Sequence, residues 1–478
     1  MQTAIDPAQG SRSDALGEAL DEAPFGLMHV KAAVTAGMGF FTDGYDLNVI
    51  AMALIFLKPQ FYLNSGQTGL LSSTALIAAF IGAFVFGRGL DMIGRKRIYG
   101  LEAMIMVVGA VASAFAPNFT VLLIARFILG IGIGGDYPTS AVIMTEYANR
   151  KSRGQQVALM FLGYTLGQLA GPLVAVVLIG AGVDHNLVWR LLLGLGALPA
   201  LAVVYSRRKM PESPRYVARV QGERDGAVNS LNKFSDGSIN VAGKVANTGR
   251  MSALAFLRQR HVQLALIGTA GAWFFADVSD YGNSLSAPLI LKALEPAHAG
   301  LTAVPAITFL IYAVCGLPGA LVGLRLIDRG GRRNLQLASL VASAVCLCLL
   351  GLIPGVTKEV VPFAVIYGVA TFTGSWWGAT TMVLAAEYFA TAGRGTGHGL
   401  SAGSAKVGAY LGALIFPSLL SSLGLGATEL IAGGIYLLGA LCTLVLREPS
   451  GKSLDDLSGE LSGADQTVAS PPAPAMAA

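Results

Sequence analysis

Twelve long, continuously apolar segments most strongly restrict what this chain can fold into. Each has roughly the 20 residues that a helix needs to cross the hydrocarbon core of a bilayer. Strands of a membrane barrel would alternate in polarity over about ten residues, and these segments do not alternate. Only 13% of the residues are charged, whereas about 25% is usual in a soluble domain. The pattern therefore predicts an all-α membrane protein with twelve transmembrane helices. The predicted spans are 31–57, 67–89, 97–117, 119–145, 154–183, 187–206, 262–292, 300–327, 335–355, 359–390, 396–424 and 426–446.

The basic residues lie mainly in alternate loops. They follow the second, fourth and eighth spans, and eleven Lys and Arg residues lie in the central segment 207–261. Because cytoplasmic loops carry the excess of Lys and Arg, this arrangement predicts a multi-pass protein of the cell membrane with both termini in the cytoplasm. The net charge of +5 thus reflects contact with a lipid bilayer and does not indicate a nucleic-acid partner.

Several function classes lack their usual sequence signs. The four cysteines lie in predicted spans without metal-ligand or disulfide spacing. No phosphate-binding loop for a nucleotide is present, and no nucleophile and base stand out as a pair. We therefore expect no metal, no cofactor, no nucleotide and no enzymatic activity. Residues 1–24 have no apolar signal core, and the Ala-, Pro- and Ser-rich tail after Glu460 is typical of a disordered segment.

A short motif occurs at the same place in each half of the chain. The pattern D-x-x-G-R-(K/R) follows the second span and recurs after the eighth. Such a repeat is typical of two parallel six-helix bundles related about the membrane normal. The expected domains are a cytoplasmic N-terminal segment, a six-helix bundle, a cytoplasmic central loop, a second six-helix bundle and a cytoplasmic tail. Their expected ranges are 1–30, 31–206, 207–261, 262–446 and 447–478.

The repeated motif has two interpretations. It is either a positive-inside cluster with a tight turn, or a charge latch that bonds helix ends in one conformation and releases them in another. The motif residues are Asp91, Gly94, Arg95 and Lys96 in the first copy and Asp328, Gly331, Arg332 and Arg333 in the second.

Ionisable residues within the spans are the candidates for chemistry, because such groups are costly in a bilayer and usually serve a pathway. Asp43 and Asp46 are three residues apart and therefore share one helical face. Two carboxylates in a low dielectric disfavour double ionisation, so a proton acceptor is expected here. The alternative is a structural ion pair, for instance with Arg126 or Lys406.

The seventh span carries Trp273, Asp277 and Tyr281 at spacing i, i+4, i+8, which forms one stripe along a helix. Aromatic stripes more often serve packing, but an acid in the middle favours a binding role. A protonated carboxyl can donate a hydrogen bond to an anion, so proton and anion would be bound together. Asp280 is a further acid in the same span.

The stretch GGDYPTSAVIMTEYANRKSRG, which starts at Gly134, resembles the fourth-helix motif of the phosphate:proton symporters in the major facilitator superfamily. The W-x-x-x-D-x-x-x-Y stripe and the stretch GHGLSAGSAK resemble the same branch, and PESPR in the central loop resembles sugar porters. The resemblance covers nearly the whole chain. It implies that Asp136 couples protons and that Tyr137, Trp273, Asp277 and Tyr281 contact the anion. Lys406 would supply positive potential or pair with an inner carboxylate. The resemblance also adds Gly87, Glu146 and Glu387 to the residues of the charge latch.

Two positions depart from that branch. A glutamine ligand of the fifth helix corresponds to Tyr164, although Gln168 follows one turn later, and an asparagine ligand of the tenth helix corresponds to Gly378, preceded by Trp376 and Trp377. Each lost contact to a charged ligand costs roughly 1–3 kcal/mol. An organic anion with an apolar body could use the aromatic side chains instead.

The sequence therefore predicts a secondary transporter that imports inorganic phosphate with protons by alternating access. Tyr137 and Tyr164 would line the site from one bundle, and Trp273, Asp277, Tyr281 and Lys406 from the other; the proton candidates are Asp43, Asp46, Asp136 and Asp277. The alternative within this class is a proton-coupled symporter of small organic or aromatic acid anions. The alternatives from other classes are a nutrient sensor that signals through the central loop and a membrane enzyme.

Overall fold

The computed structural model describes residues 14–235, 237, 239, 241, 245–294 and 300–460. Over these residues the protein is almost entirely helical and contains no strand. The tail after Glu460, where disorder is expected, lies outside the described residues, and so do residues 1–13 of the N-terminal segment.

Eleven helices of the described chain are long and apolar enough to cross a bilayer. The longest, Arg394–Thr443, is interrupted at Gly424, whose φ of +78° is not helical, and therefore contributes two spans. The predicted all-α fold with twelve spans is confirmed, and each helix lies within a few residues of its predicted range. In chain order the helices are α1 Leu27–Gln60, α2 Gly66–Ile93, α3 Arg95–Ala114, α4 Phe119–Tyr147, α5 Arg153–Gly180, α6 His185–Lys209, α7 Arg260–Pro288, α8 Ala303–Leu326, α9 Arg332–Leu352, α10 Val360–Glu387, α11 394–423 and α12 425–443.

Each half of the chain forms its own set of helix pairs. In the first half α1 packs on α5, α2 packs on α4, and α3 packs on α4 and α6. In the second half α9 packs on α10, and the segment that contains α11 and α12 packs on α7 and α9. The two halves meet where α2 crosses α11 and where α8 lies against α5. The architecture is that of two six-helix bundles with an interface between them.

Glycine permits the closest approach between the bundles. A Cβ on Gly87 of α2 would stand 2.8 Å from the Cα of Gly399 and 2.6 Å from the carbonyl oxygen of Gly395, both on α11. These separations are too short for any side chain larger than hydrogen. The two helices can therefore approach this closely only because all three positions are glycine.

Short helices cover one end of the molecule, which we call the basic face. They are Ala15–Asp21, Pro214–Tyr216 with the π-helical turn Val217–Gln221, Arg224–Ser235, Ala253–Leu257 and Leu454–Ser458. The segment 207–261 therefore contains helices rather than a plain loop. Arg219 joins three of the segments, because it donates to Asp14, to Asp455 at 2.5 Å and to Glu460 at 3.0 Å.

Candidate functional site

A small cavity lies at the interface of the two bundles, and it encloses about 80 Å³ of free space. That space is enough for a few water molecules or one small anion. Residues from α4 and α5 line it on one side, and residues from α7, α8, α9, α10, α11 and α12 line it on the other. The structure brings the six predicted substrate-contacting residues together here: Tyr137, Tyr164, Trp273, Asp277, Tyr281 and Lys406.

Lys406 of α11 is the centre of this cluster. Its Nζ donates to Asp277 Oδ2 at 3.2 Å and to the Tyr281 hydroxyl at 3.1 Å. The same nitrogen lies 4.5 Å from the ring centroid of Tyr137, a cation–π distance. Among the described residues that line the cavity, Lys406 is the only basic side chain. The ammonium group is thus the one positive charge among the described lining residues, and Asp277 is ion-paired with it.

Aromatic side chains occupy the places where the resemblance would put amides. The Tyr164 hydroxyl lies 2.9 Å from the Tyr281 hydroxyl, so α5 and α7 are joined across the interface. The ring of Phe161 stacks on Tyr164 with centroids 5.1 Å apart. A Cβ on Gly378 would stand 2.8 Å from the Phe161 ring, which leaves no room for an asparagine there. Tyr164 and Gly378 are therefore linked through Phe161, whose ring stacks on Tyr164 and fills the space beside Gly378.

Part of the cavity wall was not predicted, namely Tyr312, Tyr367 and Tyr436. Asp280, Trp377 and Gln168, which the sequence marked near the site without assigning them to it, also line the cavity. The tyrosines stand alone in separate spans, without a pattern that would have marked them. A π-helical turn begins at Tyr312, and such turns often occur at functional sites.

Trp377 presents a weakly engaged donor. Its side chain is 5% exposed, and its indole nitrogen makes no well-formed hydrogen bond with the described residues, although Tyr436 is its neighbour, with ring centroids 6.2 Å apart. This nitrogen lies 3.6 Å from where a Cβ on Gly374, another lining residue, would stand. Since buried N–H groups are nearly always paired, this one is suited to an acceptor within the cavity.

The remaining predicted proton carriers lie outside this cavity, within the first bundle. Asp46 faces Arg126 with Oδ1 and Nη1 3.8 Å apart, which is one of the structural pairs considered from the sequence. Asp136 accepts from Arg207 Nη1 at 2.6 Å. Asp43 is fully buried, and neither of its carboxylate oxygens has a hydrogen-bond partner in the described chain. The four acids therefore occupy three different settings: Asp43 alone, two acids paired with arginines, and Asp277 at the cavity.

Arg207, the ion-pair partner of Asp136, was not predicted from the sequence. It is fully buried, and its Nη1 also donates to Glu102 Oε1 at 2.8 Å. In the sequence it is the first residue of the basic run Arg207-Arg208-Lys209, which gave no sign that its side chain turns into the bundle.

The first copy of the repeated motif ties α2 to the beginning of α11 at the basic face. The Asp91 carboxylate accepts from the backbone N–H of Gly395 at 3.0 Å and of Thr396 at 2.7 Å. Glu146 lies between Arg95 and Arg394, at 2.8 Å and 3.0 Å. A carboxylate at a helix N-terminus is favoured by the free N–H groups and the helix dipole.

The second copy makes the same contacts with the bundles exchanged. Asp328 accepts from the backbone N–H of Gly154 at 3.2 Å and of Gln155 at 2.7 Å, at the start of α5. Glu387 lies between Arg332 and Arg153, at 3.4 Å and 3.5 Å. The repeat in the sequence is thus a repeat in space, and each copy crosses the interface.

Two glutamates hold the motif turns in place. Glu212 of the PESPR stretch accepts from the backbone N–H of Arg95 and Lys96 at 3.0 and 3.1 Å, and Glu448 accepts from Arg332 and Arg333, both at 2.9 Å. The side chain of Lys96 is exposed. The preceding glycines have φ of +99° at Gly94 and +87° at Gly331, a region that favours glycine.

Comparison with known proteins places this geometry in a family. Residues 31–459 match the family model described as sugar (and other) transporter. A protein named probable inorganic phosphate transporter 1-6 from Arabidopsis thaliana is 35% identical over 93% of this chain and 96% of its own length. Low affinity inorganic phosphate transporter 3 from Petunia hybrida is 33% identical over 94% of this chain and 95% of its own.

Solved structures agree on the fold. The proton:xylose symporter XylE of the major facilitator superfamily superposes with a TM-score of 0.74 at 21% identity, covering 90% of this chain and 98% of that one. XylE from E. coli in a partially occluded inward-open conformation gives a TM-score of 0.68, also at 21% identity, over 87% and 97% of the two chains. Since the family match spans residues 31–459, nearly the whole chain, this chain belongs to the sugar (and other) transporter family.

Proposed function

We propose that this protein is a secondary active transporter that imports inorganic phosphate together with protons by alternating access. The observation that carries the proposal is the position of Lys406, held by Asp277 and Tyr281 beside Tyr137 in a small cavity between the bundles. The similarity to proteins named as inorganic phosphate transporters supports the choice of anion.

The donors around the cavity suit a small, highly charged oxyanion. Donor groups from several helices line the cavity, namely the hydroxyls of Tyr137, Tyr164 and Tyr281, the indole N–H of Trp377 and the ammonium of Lys406. Hydrogen bonds to a charged acceptor are stronger than those to a neutral one.

Proton coupling follows from competition for Lys406. When Asp277 is ionised, it holds the ammonium group at 3.2 Å. When Asp277 is protonated, Lys406 is released for the anion, and the neutral carboxyl can donate a hydrogen bond to a phosphate oxygen. Protonation and anion binding therefore favour each other, which is thermodynamic coupling. Asp43, Asp46 and Asp136 would complete the proton route through the first bundle.

Alternating access requires that the basic face open and close. The contacts of Asp91 and Asp328 with helix N-termini join the bundles on this side of the cavity. In an inward-open conformation these contacts break, and they re-form when the cavity opens to the other side. The positive-inside rule places the basic face and both termini in the cytoplasm. The moving units would be residues 31–206 and 262–446, joined by 207–261.

A second candidate is a proton-coupled symporter of organic or aromatic acid anions. The stacked pair Phe161 and Tyr164 and the nearby Trp377 favour it, because they add aromatic surface to the wall of the cavity.

Counterflow in proteoliposomes tests the two candidates. Vesicles loaded with unlabelled phosphate should accumulate labelled phosphate, and vesicles loaded with benzoate should not accumulate labelled benzoate. An inward proton gradient should drive net phosphate uptake, and a protonophore should abolish it. Lys406→Met should remove both activities, whereas Lys358→Met, at an exposed lysine outside the spans, should retain them. Benzoate counterflow without phosphate counterflow would favour the second candidate, and binding without net uptake would favour a sensor.

A further inference from the structure

We propose that Asp280 is a second proton-binding group of the cavity, so that one of the transported protons is carried by Asp280 in addition to the proton exchanged at Asp277. This inference rests on the proposed phosphate transport and specifies its proton coupling.

Asp280 lies in the cavity wall on the same helix as Asp277, three residues further along α7. At 1.5 Å rise per residue, it is about 4.5 Å further along the axis, away from the basic face. In the proposed orientation it is therefore nearer the outside, and a proton that arrives from there meets Asp280 before Asp277.

The two acids differ in their partners. Asp277 is paired with Lys406 at 3.2 Å. No ion pair within the described part of the chain includes Asp280, which accepts a long hydrogen bond from the Tyr436 hydroxyl at 3.5 Å. Asp280 thus has the geometry of a carboxyl whose charge is not held in place by a neighbouring cation.

The groups that face Asp280 do not supply a free cation either. Lys406 is the one cation among them, and it is already paired with Asp277. The others are an acid and four phenols, so that the full set, from six helices, is Asp277, Lys406, Tyr436, Tyr312, Tyr164 and Tyr367. Glu429 lies close to Tyr367 and is a further acid of this region.

Charge balance within the cavity then requires protons. The described lining residues carry one cation and two carboxylates, so the ionised cavity has one net negative charge before any anion enters. A monoanion would raise this to two, and like charges in a small, poorly hydrated space strongly disfavour one another. Protonation of both Asp277 and Asp280 leaves Lys406 and one monoanion, and the cavity is neutral.

The N–H of Trp377, which makes no well-formed hydrogen bond with the described residues, is also placed in this cavity wall to meet an entering acceptor. A bound phosphate would satisfy it, whereas the acids of the cavity do not reach it. The same small space must therefore hold an anion and Asp280 together, and this is the situation in which Asp280 takes up a proton.

Asp280→Asn tests the inference, because asparagine imitates the protonated acid and cannot release its proton. When two protons are transported with one monoanionic phosphate, one net positive charge moves inward. A membrane potential alone therefore drives accumulation of phosphate in the wild type. Each net charge moved gives about tenfold accumulation for every 59 mV. In proteoliposomes with equal pH on both sides, Asp280→Asn should lower the number of moved charges by one, while a pH gradient still drives its uptake. Glu429→Gln, which removes a buried acid outside the cavity wall, should respond to potential like the wild type.

A measurement of phosphate binding tests the role of Asp280 even in a variant that does not complete the transport cycle. Calorimetry in two buffers of different ionisation enthalpy counts the protons taken up with inorganic phosphate. Asp280→Asn should bind phosphate with about one proton fewer at a pH where the wild-type acid is ionised, and with a weaker dependence of affinity on pH. An unchanged proton count, an unchanged response to potential, or loss of phosphate binding at pH 5 would each overturn the role of Asp280. If the wild-type protein binds no phosphate, the proposed function itself fails.

Discussion

The Lys406 ammonium lies 3.2 Å from Asp277 and 3.1 Å from the Tyr281 hydroxyl, and each of the three side chains is less than 5% exposed. A buried ion pair of this kind is strongly affected when one partner is removed, because the other charge is left without compensation. In the proposed mechanism this pair is a switch whose state depends on protonation of Asp277.

Asp277→Asn should abolish proton-driven accumulation of phosphate while exchange of labelled for unlabelled phosphate continues. The amide keeps the shape of the carboxyl but cannot carry the proton, and it frees Lys406 for the anion. We expect uphill uptake to fall to the level of vesicles without the protein, because no proton then accompanies the anion at this position. Transport under a pH gradient and exchange at equal pH are the two measurements. Asp225→Asn, at an exposed residue of the helix Arg224–Ser235, is the control; full uphill uptake by Asp277→Asn would contradict the switch.

Trp377→Phe should weaken phosphate binding by about 10- to 100-fold. The substitution keeps the aromatic bulk and removes the unpaired indole N–H, and a hydrogen bond to a charged group contributes about 1.5–3 kcal/mol. Trp376→Phe is the matched control, because the Trp376 nitrogen donates to the carbonyl of Gly319 at 2.9 Å and not to the cavity. Equal effects of the two substitutions on the phosphate Kd would show that the Trp377 N–H does not contact the anion.

Gly87→Ala should disfavour the conformation in which the basic face is closed. The added methyl group would stand 2.6 Å from the carbonyl oxygen of Gly395, so α2 and α11 must separate. Gly69→Ala in the same helix has open space around its Cβ and controls for the change in helix propensity. Labelling of a cysteine introduced near the basic face should become faster in Gly87→Ala alone. Similar labelling rates in both variants would exclude this contact as a determinant of closure.

Asp91→Ala should slow transport more than it weakens binding. The carboxylate caps the N-terminus of α11 across the interface, far from the lining residues of the cavity. Loss of such a cap costs about 0.5–2 kcal/mol, which shifts the balance between conformations rather than the contacts of the anion. We expect turnover to fall several-fold with a Kd within about twofold of the wild type. A parallel loss of affinity would place Asp91 outside the latch.

Asp455→Asn should release the short helix Leu454–Ser458 from the basic face. Burial opposes ionisation of Asp455, but Arg219 and Arg215 outweigh it and lower the pKa of this carboxyl to about 2. Because the folded-state pKa is depressed, the stabilisation, roughly 2 kcal/mol, is fully present above about pH 4 and is lost as the pH falls towards 2. Hydrogen exchange of residues 454–458 at neutral pH should rise in Asp455→Asn and not in Asp456→Asn, whose side chain is exposed. Equal protection in both variants would contradict this role of the ion pairs.

Much of the candidate site was predictable because its residues follow local periodicity. Trp273, Asp277 and Tyr281 share one helical stripe, so their proximity required only the assignment of α7 as a helix. Lys406 stood out as a lysine within a span. By contrast, the pairing of Asp136 with Arg207 joins α4 to the end of α6, and neither residue has a local feature that selects the other.

The apolar segments, the alternation of basic loops and the repeated acidic motif determined the membrane class, the number of helices and the two-part organisation, because each is a property of neighbouring residues. The settings of the buried acids depended on how the helices pack. Asp43 is left alone, Asp46 and Asp136 meet arginines, and Asp280 faces the cavity without a cation. The protonation chemistry of a carboxyl in a bilayer depends on the charges a few ångströms away, and those charges come from other helices that only the tertiary fold brings close.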